Sequence, residues 1–207
     1  MTINAEGTMK AIAGENLKNA LTYPQYREKI DQLYQQNLVT GLEQRAGYLE
    51  YTKMNIQRMN RWDKHFIPSP ELEEMMSRIA MPQTWILITE GWCGDSAQIV
   101  PAVVKLASLS QQVEVKLFLR DENPGLMDQF LTNGKRSIPI VAAIDHDHRI
   151  LWKWGSRPAE GQEIIDHAKA TGEDIHLAKE KLQLWYARNK QEALMKELSA
   201  LILSMEK

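Results

Sequence analysis

The chain carries one cysteine, Cys93, in 207 residues. It can therefore close no disulfide within itself and build no four-cysteine zinc site. It also lacks an excess of either charge: 25 Lys and Arg meet 27 Asp and Glu, for a formal net charge of -2. So close a balance argues against a nucleic-acid-binding stripe and against electrostatic attachment to a membrane. No apolar run approaches the roughly 20 residues that a spanning helix needs. The opening Met-Thr-Ile-Asn-Ala-Glu-Gly lacks the basic-then-apolar layout of a secretory signal. These absences lead to the expectation of a cytoplasmic enzyme or binding protein with no nucleic-acid or membrane partner. What is present, 43% hydrophobic and 25% charged residues, suffices for a sizeable core.

The first 80 residues read as helical. Tyr26, Ile30, Leu33, Tyr34 and Leu38 recur at three- and four-residue spacing. After Thr40-Gly41, a second face runs through Leu42, Ala46, Leu49, Ile56 and Met59. Ser69-Pro70 has the form of an N-cap followed by proline at the first helical position. Met75, Met76, Met81 and Met205 are read as core. The period changes after Pro82. Trp85 to Thr89 is a short apolar run without alternation, as in a strand buried on both faces. A helix is expected over about 95–109, a strand over 113–119 and a short helix over 126–131. Strands over 140–144 and 150–154 are joined by Asp145-His146-Asp147-His148, a link short enough for a hairpin. Pro158 opens another helix that Thr171-Gly172 breaks, and amphipathic helix follows to the C-terminal end. A parallel pair with a helical crossover, followed by an antiparallel hairpin, makes a mixed sheet with helices on both faces.

Glu90-Gly91-Trp92-Cys93-Gly94-Asp95-Ser96 sits where the first strand ends and a helix begins. A cysteine there meets free N–H groups and the positive end of the helix dipole. Both favour thiolate, and pKa values of about 3.5 to 7.5 occur in such places. Asp95 opposes this by about 1 to 3 kcal/mol at roughly 5 Å, depending on the effective dielectric. Arg120 either offsets part of that field or is a solvated loop residue. Position predicts a Cys93 that titrates below the free value of about 8.5.

Trp92-Cys93-Gly94-Asp95-Ser96, with Pro101 inside the following helix, resembles the active-site turn of thioredoxins. Asp121-Glu122-Asn123-Pro124, Ser137-Ile138-Pro139 and Gly155 are similar to further landmarks of that family. The resemblance covers roughly residues 81 to 170. It implies a thioredoxin-like α/β fold, a mixed β-sheet flanked by helices. The N-terminal helical extension is then 1–80, the thioredoxin-like core 81–170, and a C-terminal helical segment packing on that core 171–207. Pro139 can open an edge strand as a trans residue; the resemblance instead places a cis bond there, facing the cysteine. Two departures stand out. Ser96 replaces the family's resolving cysteine, giving a monothiol CxxS turn, and Leu87 replaces its buried acid.

The resemblance implies a thiol-disulfide oxidoreductase. Cys93 is its nucleophile, and Ser96 with the Asp95 N–H steadies the thiolate. Gly94, Ile138 and Pro139 border the bound substrate, and Trp92 limits solvent access. Substrates would be protein disulfides or glutathionylated proteins. No bound cofactor is expected, and glutathione is a candidate external thiol. The alternative is a non-enzymatic thioredoxin-fold module that binds a protein partner. No metal is expected at Asp145 to His148, because alternate side chains of a tight hairpin point apart.

Overall fold

The structure, a computed structural model, describes residues 12–205. The opening heptapeptide, which underlies the cytoplasmic expectation, lies outside the described residues. No described helix is long and apolar enough to cross a membrane. Two compact units are present, Met1–Ser156 and Arg157–Lys207.

In the first unit, β1 (Gln83–Thr89), β2 (Val113–Leu119), β3 (Ile140–Ile144) and β4 (Ile150–Gly155) form one sheet in the order β2-β1-β3-β4. β1 runs parallel to β2 and antiparallel to β3, and β3 runs antiparallel to β4. This is the mixed α/β sheet that the residue pattern predicts. Ile86, Leu87 and Ile88 are buried because β1 has neighbours on both sides and helices over both faces. Register places the ends of β1 and β2 beside the start of β3 and the end of β4: Ile88 faces both Phe118 and Ile140, and Ile140 faces Gly155. The 145–148 hairpin turn lies at the opposite end. Only glycine fits at 155. Its φ is +138°, and a Cβ there would stand 2.5 Å from the Pro139 carbonyl oxygen.

α4 (Gly94–Ala107) makes the crossover between β1 and β2 and contains Pro101. α5 (Pro124–Met127) follows β2, with a short 3-10 turn to Phe130 in place of the single helix expected over 126–131. Three helices precede the sheet: α1 (Tyr23–Gln35), α2 (Ala46–His65) and α3 (Pro70–Ser77). α1 opens on a capping box between Thr22 and Gln25, which sequence reading missed; α3 has Ser69 at its N-cap position and Pro70 next, as the sequence predicts, though the Ser69 side chain makes no cap.

The face of α2 departs from expectation. Its buried residues are Thr52, Asn55, Met59 and Trp62, while Leu42 precedes the helix and is 80% exposed. A partly polar face is buried because α2 packs on α4 and the turn before it, where Asn55 and Trp62 meet polar groups, and not on the apolar sheet. Met75 and Met76 are core, whereas Met81 and Met205 are exposed. Met81 leaves α3 before β1 begins.

The second unit holds α6 (Ala159–Thr171), α7 (Ile175–Asn189) and α8 (Glu192–Leu203). Gly172, at φ +74°, ends α6, and Asp174 caps α7 by accepting from the His176 N–H. α6 meets α7 where Gly161 approaches Leu182 and Trp185.

Candidate active site

β1 delivers the chain to the active-site end of the sheet, and the helix that follows begins at once. Cys93 is the N-cap residue of α4, with extended backbone (φ -79°, ψ 118°), and Gly94 is the first helical residue. Its N–H donates to the Glu90 carbonyl (3.1 Å), and its own carbonyl accepts from Ala97 (3.1 Å). The side chain caps nothing. Its thiol instead donates to the Ile138 carbonyl oxygen at 3.5 Å, across 45 residues of sequence. The Ile138–Pro139 bond is cis. The fold thus brings Trp92, Cys93, Gly94, Asp95 and Ser96 together with Ile138 and Pro139.

The thiol is only 9% exposed and packs in the apolar cluster that includes Ile88, Phe130, Ile138 and Ile140. Burial pushes its pKa up to about 11, and the negative Asp95 pushes the same way. The Ser96 hydroxyl and the N–H groups of Ser96 and Asp95 oppose the rise without overcoming it. Titration below 8.5, the expectation from helix position, is therefore corrected. The dipole acts on this sulfur, but desolvation of a charged sulfur among apolar side chains is the larger effect. Ser96 is fully buried, and its Oγ makes no hydrogen bond of ordinary geometry among the described residues.

Side chains from the preceding helices frame the turn. The Gly91 peptide is held at both ends. Its N–H donates to Thr40 Oγ1 (2.8 Å), and its carbonyl accepts from Asn55 Nδ2 (2.9 Å). Arg58 Nη1 donates to the Asn55 Oδ1 (2.8 Å), and Trp62 Nε1 donates to Gln98 of α4 (2.6 Å). Tyr48 stacks on Trp92 with centroids 4.5 Å apart and planes at 9°. On the stack's outer sides, the Arg45 guanidinium lies 5.6 Å from the Tyr48 ring and that of Arg120 4.8 Å from the Trp92 ring.

Residues 41–169 match the sequence profile of a family described as Thioredoxin, well over half of the chain. The chain belongs to the thioredoxin family. Its fold is similar to that of a protein of unknown function from Pseudomonas aeruginosa, at 17% identity and a TM-score of 0.52, covering 86% of this chain and 96% of that one. It is also similar to an HIV epitope-scaffold, at 18% identity and a TM-score of 0.51, covering 84% and 96%. No curated protein matches it.

Within this thioredoxin fold, Leu87 is fully buried where the resemblance places the family's acid. A different carboxyl enters the interior three residues later. Glu90 is 0% exposed; its Oε1 accepts from the Asp121 N–H (3.0 Å), and its Oε2 has no hydrogen-bond partner among the described residues. Burial first, with Asp121 nearby, raises its pKa to about 7 against the pull of Thr40, the Asp121 N–H and Arg120. The Tyr26 hydroxyl lies 3.1 Å from Thr89 Oγ1 in the same layer, and burial raises its pKa too.

Sequence reasoning missed Asn55, Tyr48 and Glu90. A signal existed for two of them, an amide at core spacing on an amphipathic helix and an acid at the end of an apolar strand; Tyr48 meets Trp92 only through the fold. Among the described residues, no group of three or more His, Cys, Asp and Glu side chains could hold a metal. In the 145–148 turn, Asp145 Oδ1 accepts the N–H groups of Asp147 (2.9 Å) and Arg149 (2.8 Å), so it serves the hairpin itself.

Proposed function

We propose that this thioredoxin-fold protein is a monothiol thiol-disulfide exchanger that captures substrates on Cys93. The Cys93 thiolate attacks one sulfur of a substrate disulfide. A Cys93–substrate disulfide forms, the substrate S–S bond breaks, and the other half leaves as thiolate, taking up the proton that Cys93 released. Ser96 cannot attack the new bond, so an external thiol such as glutathione resolves it. The observation that carries this reading is the contact of the Cys93 thiol with the Ile138 carbonyl, 45 residues away in sequence. It sets the sulfur against the backbone of the segment that leads into β3.

The raised pKa sets the character of the exchange. At pH 7.4, a pKa near 11 leaves about 300-fold less thiolate than a free cysteine has. A more basic thiolate is about tenfold more nucleophilic, so the net rate is about 30-fold below that of free cysteine. The same basicity makes Cys93 a poor leaving group, so its mixed disulfides persist once formed. Slow capture and slow release suit retention of a partner better than rapid turnover. The burial of Cys93 also favours the second reading, a non-enzymatic module that binds a protein partner through the thioredoxin scaffold.

The deciding experiment incubates wild type and Cys93→Ser with a substrate-rich extract and resolves adducts without reductant. Adducts that form only with wild type and that glutathione releases support exchange. Partners retained equally by both proteins, with no disulfide-linked species, would establish the binding module instead.

A further inference from the structure

Two guanidiniums are tethered to the redox turn by groups that leave most of their donors open. Arg120 lies over the Trp92 ring at 4.8 Å, and its Nε donates to Asp121 Oδ1 (2.7 Å). Its two terminal nitrogens bond to nothing among the described residues, and the side chain is 22% exposed. Arg58 is half-buried, and its one hydrogen bond among the described residues goes to the Asn55 amide oxygen, whose own N–H₂ holds Gly91. It makes no direct ion pair there, although the Asp95 carboxylate acts on it electrostatically. A guanidinium presents five donors in a planar fork suited to carboxylates, so both carry unused capacity.

The negative groups nearby are placed differently. Glu90 is buried beneath the turn, Asp95 is buried in the first turn of α4, Asp121 is occupied by the Arg120 Nε, and Glu43 pairs with Arg45. Where a substrate reaches Cys93, the charges with open donors are therefore positive. The aromatic pair Tyr48–Trp92 holds the Arg120 plane in place, so little side-chain freedom is lost when an anion binds.

We propose that the Cys93 site selects disulfides flanked by a carboxylate, with Arg120 as the specificity-determining residue and Arg58 as a second anion contact. The inference rests on the exchange reading above. The carboxylate can belong to a small thiol such as glutathione or to an acidic residue beside a protein cysteine.

The test measures mixed-disulfide formation at Cys93 by mass spectrometry with three disulfides of similar length. These are 3,3′-dithiodipropionate (anionic), bis(hydroxyethyl) disulfide (neutral) and cystamine (cationic). Each rate is divided by the rate of the same disulfide with 2-mercaptoethanol, which removes differences between leaving groups. In wild type the anionic probe should exceed the neutral one by about fivefold, and the cationic one should fall below it. High salt should collapse the preference. Arg120→Gln should bring the anionic-to-neutral ratio near one. Because any change in Cys93 reactivity itself scales both rates alike, the ratio isolates recognition.

Arg58→Gln should lower the ratio partway, and it serves as the variant readout if Arg120→Gln fails to fold. Two further arms, glutathione disulfide and a peptide disulfide carrying Asp-Cys against Asn-Cys, distinguish the small thiol from the protein source. Equal normalised rates for all probes, or a cationic preference, would overturn the inference while leaving exchange standing. No adduct with any probe would instead sink the exchange reading.

Discussion

At the residue scale, two buried acid groups define the chemistry of the site, and they titrate for different reasons. Cys93 is raised chiefly by burial and secondly by Asp95. Asp95→Asn should therefore lower the inflection of iodoacetamide alkylation against pH by about half a unit to two units, the range a nearby charge supplies. The inflection should stay above 8.5, because burial is untouched. An unmoved inflection would show that the Asp95 field does not reach the sulfur. Glu90 titrates near 7 when folded, against 4.5 for an unperturbed carboxyl. Between these values the folded chain keeps a proton that the unfolded chain releases. The stability Glu90 contributes is complete below about pH 4.5 and falls as pH rises through 7, by up to about 3 kcal/mol. Urea midpoints across pH 4.5 to 8 should show this decline in wild type and lose it in Glu90→Gln. A decline that persists in the variant would assign it to another group.

At the scale of elements, the turn between β1 and α4 and the helix α2 form one polar assembly. Among the described residues, Asn55 supplies the one α2 hydrogen bond to the turn backbone, at Gly91, in a site with no exposure. Asn55→Ala should cost about 1–3 kcal/mol, the penalty for leaving the Gly91 carbonyl and Arg58 without their partner. It should also speed Cys93 alkylation, which the structural cost alone would not require. Chemical denaturation and alkylation kinetics on the same sample separate the two effects.

The first turn of α4 is equally specific. Cys93 at the N-cap and Ser96 at the third helical position lie on adjacent positions of one turn. A disulfide needs a Cα spacing of about 4.4–6.8 Å, which such a turn meets without backbone movement. Oxidised Ser96→Cys should lose two hydrogens within one chain by mass spectrometry. Free thiols or dimers alone would mean that the turn differs from the one described.

At the scale of the whole molecule, the helices before the sheet are part of its first unit and not an appendage. α1 places Tyr26 against Thr89, and Leu21 pairs with Leu117 of β2. Limited proteolysis should leave residues 12–80 attached as long as the sheet survives. Their rapid loss from an intact remainder would contradict this packing.

Much of this architecture was legible locally. Strand and helix periods, Ser69-Pro70, the hairpin, and the turn from Trp92 to Ser96 are short-range patterns that the chain itself dictates. The apolar runs of β1 and β3 could only be buried, and a lone cysteine at a strand-to-helix junction could only face a helix N-terminus. The protonation of Cys93 was not legible, because desolvation sums over Ile138, Phe130 and Ile140, all distant in sequence. The buried face of α2 was misread for a related reason. Apolar spacing assumes an apolar partner, and here α4 and the turn before it present the Gly91 carbonyl and Gln98, whose hydrogen bonds make Asn55 and Trp62 interior residues. Local sequence determined which elements form and where the thiol stands. Tertiary packing decided its charge and its neighbours, because solvent exclusion and long-range hydrogen bonds exist only once the elements meet.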